Sequence, residues 1–334
     1  MPRKTKKFNS KISICSSASA VGAAEKNGPL KEYFDATSSD SKFGMETWEK
    51  AESEMIRESS EIALKKAGLS YDKVDLTFSG DLTNQCAASA FGLKSKRIPH
   101  IGLYGACSTF ALSLGMGATA IEAGLGTVVM AEASSHYCSA ERQYRFPLEY
   151  GCQRPPSAQN TVTGSGSVIL RGDFDSKIYV TEFLPGIIRD HGICDSNNMG
   201  AAMATSCADT VFRYFDENGF DPGSFDLILT GDLGFEGHDI FLELCCKGGI
   251  NLESNSNDCG KMIYDTKKID VNSGGSGCGC SAVVFASFVM EQLKANVMRD
   301  ILLIGTGALL NATTVLQKES IPGVSHLVRI KKEE

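Results

Sequence analysis

The 334-residue sequence predicts an α/β protein made of two related halves. Residues 68–82 ("GLSYDKVDLTFSGDL") and 219–233 ("GFDPGSFDLILTGDL") share six identical positions without a gap. A second pair, "ACSTFALSLGMGATAIEAGLGTVVMAEAS" and "CSAVVFASFVMEQLKANVMRDILLIGTGA", shares a small-residue turn, a long apolar helix and a buried strand. Short apolar strands that alternate with helices are typical of parallel sheets covered on both faces.

The elements of each half follow one order: a helix, a short strand and the tripeptide Gly-Asp-Leu. Before the first copy, Trp48, Ala51, Met55, Ser59 and Ile62 recur at steps of three and four, which marks one face of a helix. The apolar run after it ends at Gly-Asp-Leu, and the second copy repeats this arrangement. We place the division between the halves near residue 175, with residues 1–175 in one half and 176–334 in the other.

Composition excludes several classes of protein. The net charge of −7 argues against general binding of nucleic acid. No apolar run approaches the ~20 residues of a membrane span, and the N-terminus lacks the apolar core of a signal peptide. The twelve cysteines contain no C-x-x-C pair, so we expect mostly reduced, buried thiols in a cytosol-like compartment. The first eleven residues carry five basic groups and no acidic one, which predicts a solvated tail or a weak contact with an anionic membrane.

One cysteine stands out by its local sequence. Cys107 lies in "GLYGACSTF", at a tight turn before an apolar helix. A helix N-terminus lowers the pKa of a thiol and favours the nucleophilic thiolate, so Cys107 is either a nucleophile or a small residue that packs in a crowded turn. The glycine clusters "TGSGSV" and "GGSGCGCS" lack the complete fingerprints of nucleotide sites, so we predict no cofactor.

Four long segments carry a family resemblance: "RQYRFPLEYGCQRPPSAQNTVTGSGSVIL", "NMGAAMATSCADT", "NSGGSGCGCSAVVFASF" and "LLIGTGALLNATTVLQKESIPG". They resemble the stage V sporulation protein AD family of spore-forming bacteria. Residues 45–310 also resemble the thiolase fold, which ketoacyl synthases share. The resemblance implies two duplicated α/β halves stacked as five layers, α-β-α-β-α, with the cysteine at the start of a central helix.

The same resemblance implies a function. The family is regarded as a binder of dipicolinic acid (pyridine-2,6-dicarboxylic acid), free or as its calcium salt. It implies a role in uptake of that ligand into the forespore and in its release during germination. The expected location is the periphery of the spore inner membrane, beside the other membrane proteins of the SpoVA complex. A homodimer is a further family expectation.

Catalysis by thiolase-type enzymes needs more than a cysteine. Their bases come largely from histidines of the second half, but the matching stretches here, "GDLGFEG" and "NSGGSGCGCS", contain none. They offer Asp232, Asn272 and Cys278, while His238 lies six residues beyond Asp232. We therefore predict a non-catalytic relative of thiolases. The alternatives are an acyl-transferring enzyme with Cys107 as nucleophile, and a scaffold with a vestigial pocket.

A planar dianion is best recognised by guanidinium groups. Arg142, Tyr144 and Arg145 lie in "HYCSAERQYRFPLEYGCQRPP", directly after the strand "TVVMAEASSH". The carboxyl ends of such strands are where open α/β sheets bind ligands. We predict that these three residues bind the ligand, although arginines in a surface loop are as often simply solvated.

Two further candidates end strands. His136 either donates to a carboxylate, orients Cys107 or is a structural residue. Asp81, in the first Gly-Asp-Leu, either contacts ligand-bound calcium or a protonated ligand, or caps a following helix. The predicted ligand-binding set contains no metal site of the protein's own and consists of Asp81, Cys107, His136, Arg142, Tyr144 and Arg145.

Overall fold

The computed structural model describes residues 4–144 and 154–333. Its strands alternate with helices along most of the chain. The strands are β1 (Lys6–Val21), β2 (Ala36–Thr37), β3 (Leu76–Gly80), β4 (His100–Gly102), β5 (Val128–Ser135), β6 (Asn160–Thr161), β7 (Gly164–Arg171), β8 (Ile178–Leu184), β9 (Leu227–Thr230), β10 (Ser256–Asp258), β11 (Gly275–Ser276), β12 (Asp300–Ala308) and β13 (Gly323–Lys332).

The helices range from single turns to twenty residues. A π-helical segment, Phe285–Val289, joins two of them into a continuous helix over residues 278–294. The helices are α1 (Ala23–Lys26), α2 (Trp48–Ala67), α3 (Ala87–Leu93), α4 (Thr109–Glu122), α5 (Tyr137–Tyr144), α6 (Met199–Asn218), α7 (Gly234–Lys247), α8 (Cys259–Met262), α9 (Cys278–Val284), α10 (Met290–Lys294) and α11 (Ala312–Leu316).

The strand order repeats between the halves. Counted from the outer edge, five strands of the first half lie in the order β4-β3-β5-β7-β1, and five strands of the second half lie in the order β10-β9-β12-β13-β8. The two repeated segments form β3 and β9, and each of these strands is parallel to both of its neighbours. The internal duplication predicted from the repeated Gly-Asp-Leu is thus also a repeat of the strand order and of the strand directions around β3 and β9.

The sheets are mixed rather than parallel throughout. β7 is antiparallel to β5 and β1, and β13 is antiparallel to β12 and β8. An antiparallel neighbour can be reached without the long crossover that a parallel neighbour needs. The hydrophobic pattern of a buried strand is the same in either direction, so the sequence does not reveal the direction of β7 and β13.

Five layers are stacked as the thiolase fold requires. α2 and α3 cover the outer face of the first five strands, and α6 covers the second five with α7 packed beside it. Between the two sets of strands lie α4 and the helix over residues 278–294. α4 contacts strands of both halves and is buried around most of its circumference, as expected for a helix that is apolar on all sides.

The basic N-terminal segment belongs to a strand. β1 pairs with β8 near its start and with β7 over most of its length, so it links the two halves. Lys6 Nζ lies 3.2 Å from the Glu122 carboxylate, and Lys11 Nζ lies 2.8 Å from that of Glu333. From residue 6 onward, the interpretation as a solvated tail is therefore wrong. Within the described ranges, none of the helices has the length and apolar character needed to span a bilayer.

Candidate functional site

A strained turn between β4 and α4 carries Cys107. Ala106 has a positive φ of 48°, a conformation that is uncommon for residues other than glycine. The Gly105 N–H donates to Thr109 Oγ1 over 3.0 Å, and the Thr109 hydroxyl donates to the Ala106 carbonyl over 2.6 Å. A Cβ on Gly307 of β12 would lie 2.4 Å from the Gly105 carbonyl oxygen. The second half therefore packs directly against the backbone of this turn.

The thiol of Cys107 is buried and protonated. The residue is 6% exposed, and the buried carboxyl group of Asp232 lies near enough to act on its thiol electrostatically. Burial and the Asp232 charge raise the pKa of the Cys107 thiol well above its ordinary value of 9.0. The expected lowering by a helix N-terminus is wrong, because α4 begins at Thr109 and the effects of burial and the carboxylate dominate.

Asp232, in the second Gly-Asp-Leu, is a buried acid of the site. It follows β9 and is completely buried. Its Oδ1 accepts a hydrogen bond of 2.6 Å from the Thr306 hydroxyl, and its Oδ2 accepts one of 2.7 Å from the Gly277 N–H. Burial raises the pKa of Asp232 to about 7, against the opposing effect of these donors and of the Cys107 thiol. The repeated Gly-Asp-Leu was the sequence signal for this residue, but the predicted ligand-binding set omitted it.

Cys278 is a second thiol of the site and begins α9. It donates a hydrogen bond to the Ser134 carbonyl, with 2.9 Å between sulfur and oxygen. Burial, followed by the charges of Asp81, Glu52 and Asp232, raises the pKa of the Cys278 thiol well above its ordinary value. Acidic side chains of both halves therefore face this thiol.

Two tyrosines complete the site. The Tyr144 hydroxyl donates to the Leu82 carbonyl over 2.6 Å and lies 2.9 Å from the Tyr104 hydroxyl. Burial is the first cause of a raised pKa for both phenols, and the thiols of Cys107 and Cys278 add to it. Tyr104 is still 48% exposed, whereas Cys107 and Cys278 are buried. The structure thus places the predicted residue Tyr144 against Tyr104, which precedes the predicted Cys107 by three positions.

Asp81 caps a helix beside the site. Its Oδ1 accepts from the Thr83 N–H over 2.9 Å and from the Thr83 hydroxyl. Its Oδ2 accepts from the N–H and the hydroxyl of Ser89 over 2.8 and 2.6 Å. Both oxygens are therefore used within the loop that leads into α3, as in the capping interpretation. Asp81 still faces the site electrostatically, through its effect on Cys278.

His136 is tied to the backbone on both sides of its ring. Its Nε2 lies 2.7 Å from the Ser41 carbonyl oxygen, and its Nδ1 accepts from the Cys138 N–H over 3.1 Å. Burial lowers the pKa of this imidazole. With both nitrogens engaged in this way, His136 does not orient Cys107.

Of the two predicted arginines, Arg142 is among the residues that the structure describes. Arg142 forms an ion pair with Glu49, and its guanidinium lies 5.6 Å from the centre of the Trp48 ring, on the surface of α2. It is therefore not brought to the Cys107 thiol. Arg145 lies outside the described residues.

A histidine that the motifs did not reveal lies behind the turn. His326 of β13 accepts from the Gly186 N–H at Nδ1 over 3.0 Å. Its Nε2 would lie 3.6 Å from a Cβ placed on Gly105. Burial lowers the pKa of His326 to about 4, so the ring is neutral at pH 7. His238, in contrast, is held by Ser256 Oγ at 3.0 Å, outside the site.

Among residues 4–144 and 154–333, no group of three or more His, Cys, Asp or Glu side chains is arranged to hold a metal ion. The site is made instead of thiols, phenols and carboxyl groups, all of which can exist in a neutral, protonated form.

Comparisons with known proteins identify the family. The family model described as stage V sporulation protein AD matches residues 2–331. The chain is 37% identical over 319 residues to the stage V sporulation protein AD of Bacillus subtilis strain 168, and the aligned residues make up 96% of this chain and 94% of that protein. The chain belongs to the stage V sporulation protein AD family. The resemblance read from the sequence is thereby confirmed.

Solved structures show the fold that this SpoVAD chain adopts. The 3-oxoacyl-[acyl-carrier-protein] synthase III of Aquifex aeolicus VF5 is 16% identical, with a TM-score of 0.58 over 96% of this chain and 100% of that one. OleA of Xanthomonas campestris is 11% identical, with a TM-score of 0.61 over 98% of this chain and 100% of that one. The fold is thiolase-like, as predicted. At these identities the likeness concerns the fold alone.

Proposed function

We propose that this SpoVAD chain binds dipicolinic acid at the Cys107 site. We further propose a part in uptake of that ligand into the forespore and in its release during germination. The observation that carries the proposal is that the buried Cys107 thiol lies near the buried carboxyl group of Asp232, while both ring nitrogens of His136 are engaged by Ser41 and Cys138. A buried thiol held protonated in this way is a poor nucleophile, so the site is better suited to binding than to condensation.

The chemistry of the site suits a planar ligand with two carboxylates. The partly exposed ring of Tyr104 would offer an apolar face to the ligand, and the buried thiol of Cys107 would be a weak donor. Arg145 follows Tyr144 directly in the sequence and would supply a bidentate guanidinium to one carboxylate. Because the oxygens of Asp81 are already hydrogen-bonded, we propose free dipicolinate rather than its calcium salt as the ligand.

The surroundings of the protein are part of the same proposal. We place the chain at the periphery of the spore inner membrane, in contact with other SpoVA membrane proteins, and as a homodimer. The support for this is membership of the family. Co-purification from detergent-solubilised spore membranes tests the contact, and light scattering tests the dimer.

Calorimetric titration with dipicolinate, with and without calcium, tests the binding. We expect Arg145→Ala to weaken binding by roughly ten- to a hundredfold, because a charge-assisted contact is worth about 1.5–3 kcal/mol. Arg142→Ala is the matched control: it removes a neighbouring arginine that pairs with Glu49, and it should leave the affinity unchanged. Absence of dipicolinate binding by the folded wild-type chain, with or without calcium, would refute the proposed function.

Acyl transfer is the second candidate, favoured by the strained turn that presents Cys107 beside an ionisable carboxyl group. Asp232 would accept the thiol proton, the sulfur would attack the carbonyl of an acyl-CoA, and the C–S bond to CoA would break to leave an acyl-cysteine and free CoA. Incubation with acyl-CoA followed by intact mass spectrometry tests this, with Cys107→Ala as control. An adduct that is present in the wild type and missing from the variant would establish acylation, and its absence would exclude it for the acyl-CoA used.

A further inference from the structure

Asp232 has no positively charged partner. Within residues 4–144 and 154–333 it forms no ion pair, although it is completely buried and lies near the Cys107 thiol. In the same described residues, the donors to its carboxylate are neutral: the hydroxyl of Thr306 at 2.6 Å and the N–H of Gly277 at 2.7 Å. These neutral donors partly offset the free energy that it costs to bury the negative charge of Asp232. They cannot neutralise a second negative charge, such as that of a bound ligand.

The titratable groups near Asp232 in the described residues are acids or neutral thiols. They include Cys107 from the turn before α4, and Cys278 and Cys280 from the start of α9. Asp258 and Cys259 lie at the start of α8. The charges of Glu52 of α2 and of Asp81 at the end of β3 also act on Cys278.

A dicarboxylate that enters this site meets unfavourable charge. Like charges within a few ångströms in a poorly solvated site disfavour ionisation of both groups. The proposed contact with Arg145 would neutralise one carboxylate of the ligand, which leaves the second carboxylate and Asp232 as like charges. A further cation must then accompany the ligand or one carboxyl group must take up a proton, and Asp232 is a buried carboxyl group near the Cys107 thiol.

We propose that the Cys107 site binds its dicarboxylate ligand together with one proton, and that Asp232 holds this proton. This inference rests on the proposed function, because it concerns the same site and ligand. The overall step is balanced: the ionised Asp232, one proton from solvent and the ligand dianion give a complex with a neutral Asp232. Binding of the ligand is thereby coupled to pH.

The sign of the coupling follows from the free protein. In the absence of ligand, burial raises the pKa of Asp232 to about 7, so the group is mostly protonated at pH 6 and mostly ionised at pH 8. A bound anion raises this pKa further, so binding takes up a proton above pH 7 and almost none at pH 6. The affinity should accordingly be level near pH 6 and fall by up to about tenfold for each pH unit above 7.

Calorimetry of the full-length chain with dipicolinate between pH 6 and 9 tests the coupling. Each titration is run in phosphate and in Tris, whose ionisation enthalpies differ, so the difference in heat reports the number of protons taken up. We expect close to zero protons at pH 6 and close to one at pH 8.5. Asp232→Asn keeps the size of the side chain and cannot ionise, so its affinity should be independent of pH and match that of the wild type at pH 6.

Glu132→Gln is the control, because Glu132 is an equally buried carboxyl group of β5 that does not face this site. It should retain the wild-type pH dependence. Equal wild-type affinity from pH 6 to 9 without proton uptake would overturn the coupling while leaving the binding function intact. Proton uptake that persists in a folded Asp232→Asn, or a calcium requirement that replaces the pH dependence, would also overturn it. Failure to bind at every pH would count against the function itself.

Discussion

The sulfur of Cys107 shows how strongly neighbouring groups control the reactivity of one side chain. Its thiol is buried against a carboxylate and has a raised pKa, whereas Cys194 and Cys246 are exposed. Since alkylation requires the thiolate and access to it, we expect iodoacetamide at pH 7.5 to modify Cys194 and Cys246 well before Cys107. A time course of peptide mass spectrometry measures the order. Labelling of Cys107 as fast as that of Cys194 would mean that the thiolate is present at rest.

A second residue-scale prediction concerns Thr306. Its hydroxyl donates to Asp232 Oδ1 and also accepts from the Asp232 N–H over 3.0 Å. Thr306→Val keeps the shape and leaves a buried acceptor without its donor, which costs about 1–3 kcal/mol. Urea denaturation at pH 8, where Asp232 is ionised, should show this loss. A smaller loss is expected at pH 6, and equal losses at both pH values would contradict the role given to Asp232.

At this scale the ligand-binding role of the six predicted residues stays a prediction. Cys107 follows β4 and Tyr144 follows β5, and Tyr104 connects the two regions because its hydroxyl lies 2.9 Å from that of Tyr144. His136 also ends a strand, yet its ring is fixed by Ser41 from a distant loop. Such a contact depends on tertiary packing, which no local spacing encodes. Tyr104 lies in the same stretch as Cys107, "GLYGACSTF", but the neighbouring residues do not predict the orientation of its ring.

Among the elements, the contact between α2 and the sheet is unusual because it buries carboxyl groups. Glu132 of β5 is 1% exposed; its Oε2 accepts a hydrogen bond of 3.1 Å from the Ser167 hydroxyl, and its buried Oε1 has no hydrogen-bond partner among the described residues. Burial raises the pKa of Glu132 to about 8 from an ordinary value of 4.5. The folded state therefore binds an extra proton between pH 4.5 and 8, so this group makes the fold less stable as the pH rises through that window.

Glu132→Gln removes the ionisable group from this contact. We expect the variant to melt at the wild-type temperature at pH 5 and a few degrees higher at pH 8.5, because the amide carries no charge to bury. Thermal unfolding followed by circular dichroism at both pH values measures the difference. A wild-type and a variant curve that shift equally with pH would show that the carboxyl group is hydrated in the folded protein.

The elements themselves were predictable where local rules apply. The periodic face from Trp48 onward is α2, with Thr47 as its N-cap and Gly68 at φ 67° as its C-cap. Ser59, an odd member of that face, is explained by hydrogen bonds of 2.8 Å to the hydroxyls of Ser165 and Ser167. Strand direction in β7 and β13 was not predictable, since it depends on connections rather than on side-chain pattern.

At the scale of the whole molecule, the two halves depend on each other. α4 packs against strands of both halves, and β1 pairs with β8 as well as β7. The division near residue 175 stays a prediction about the duplication; it is not a boundary between independent folding units. We expect one cooperative transition by calorimetry, and expect residues 1–175 and 176–334, expressed separately, to fail to fold. Two resolved transitions, or one soluble and structured half, would contradict this.

The close packing of Gly307 against the backbone of Gly105 predicts which substitutions the protein tolerates. A side chain at 307 would meet the Gly105 carbonyl oxygen at 2.4 Å, and one at 305 would meet the Ala111 Cβ at 2.7 Å. A substitution at either position must therefore displace the turn that carries Cys107 or the start of α4, so in a mutational scan both glycines should tolerate substitution as poorly as the cysteine does. Related proteins that keep this site should therefore keep Gly305 and Gly307 of the second half together with Gly105 and Cys107 of the first half.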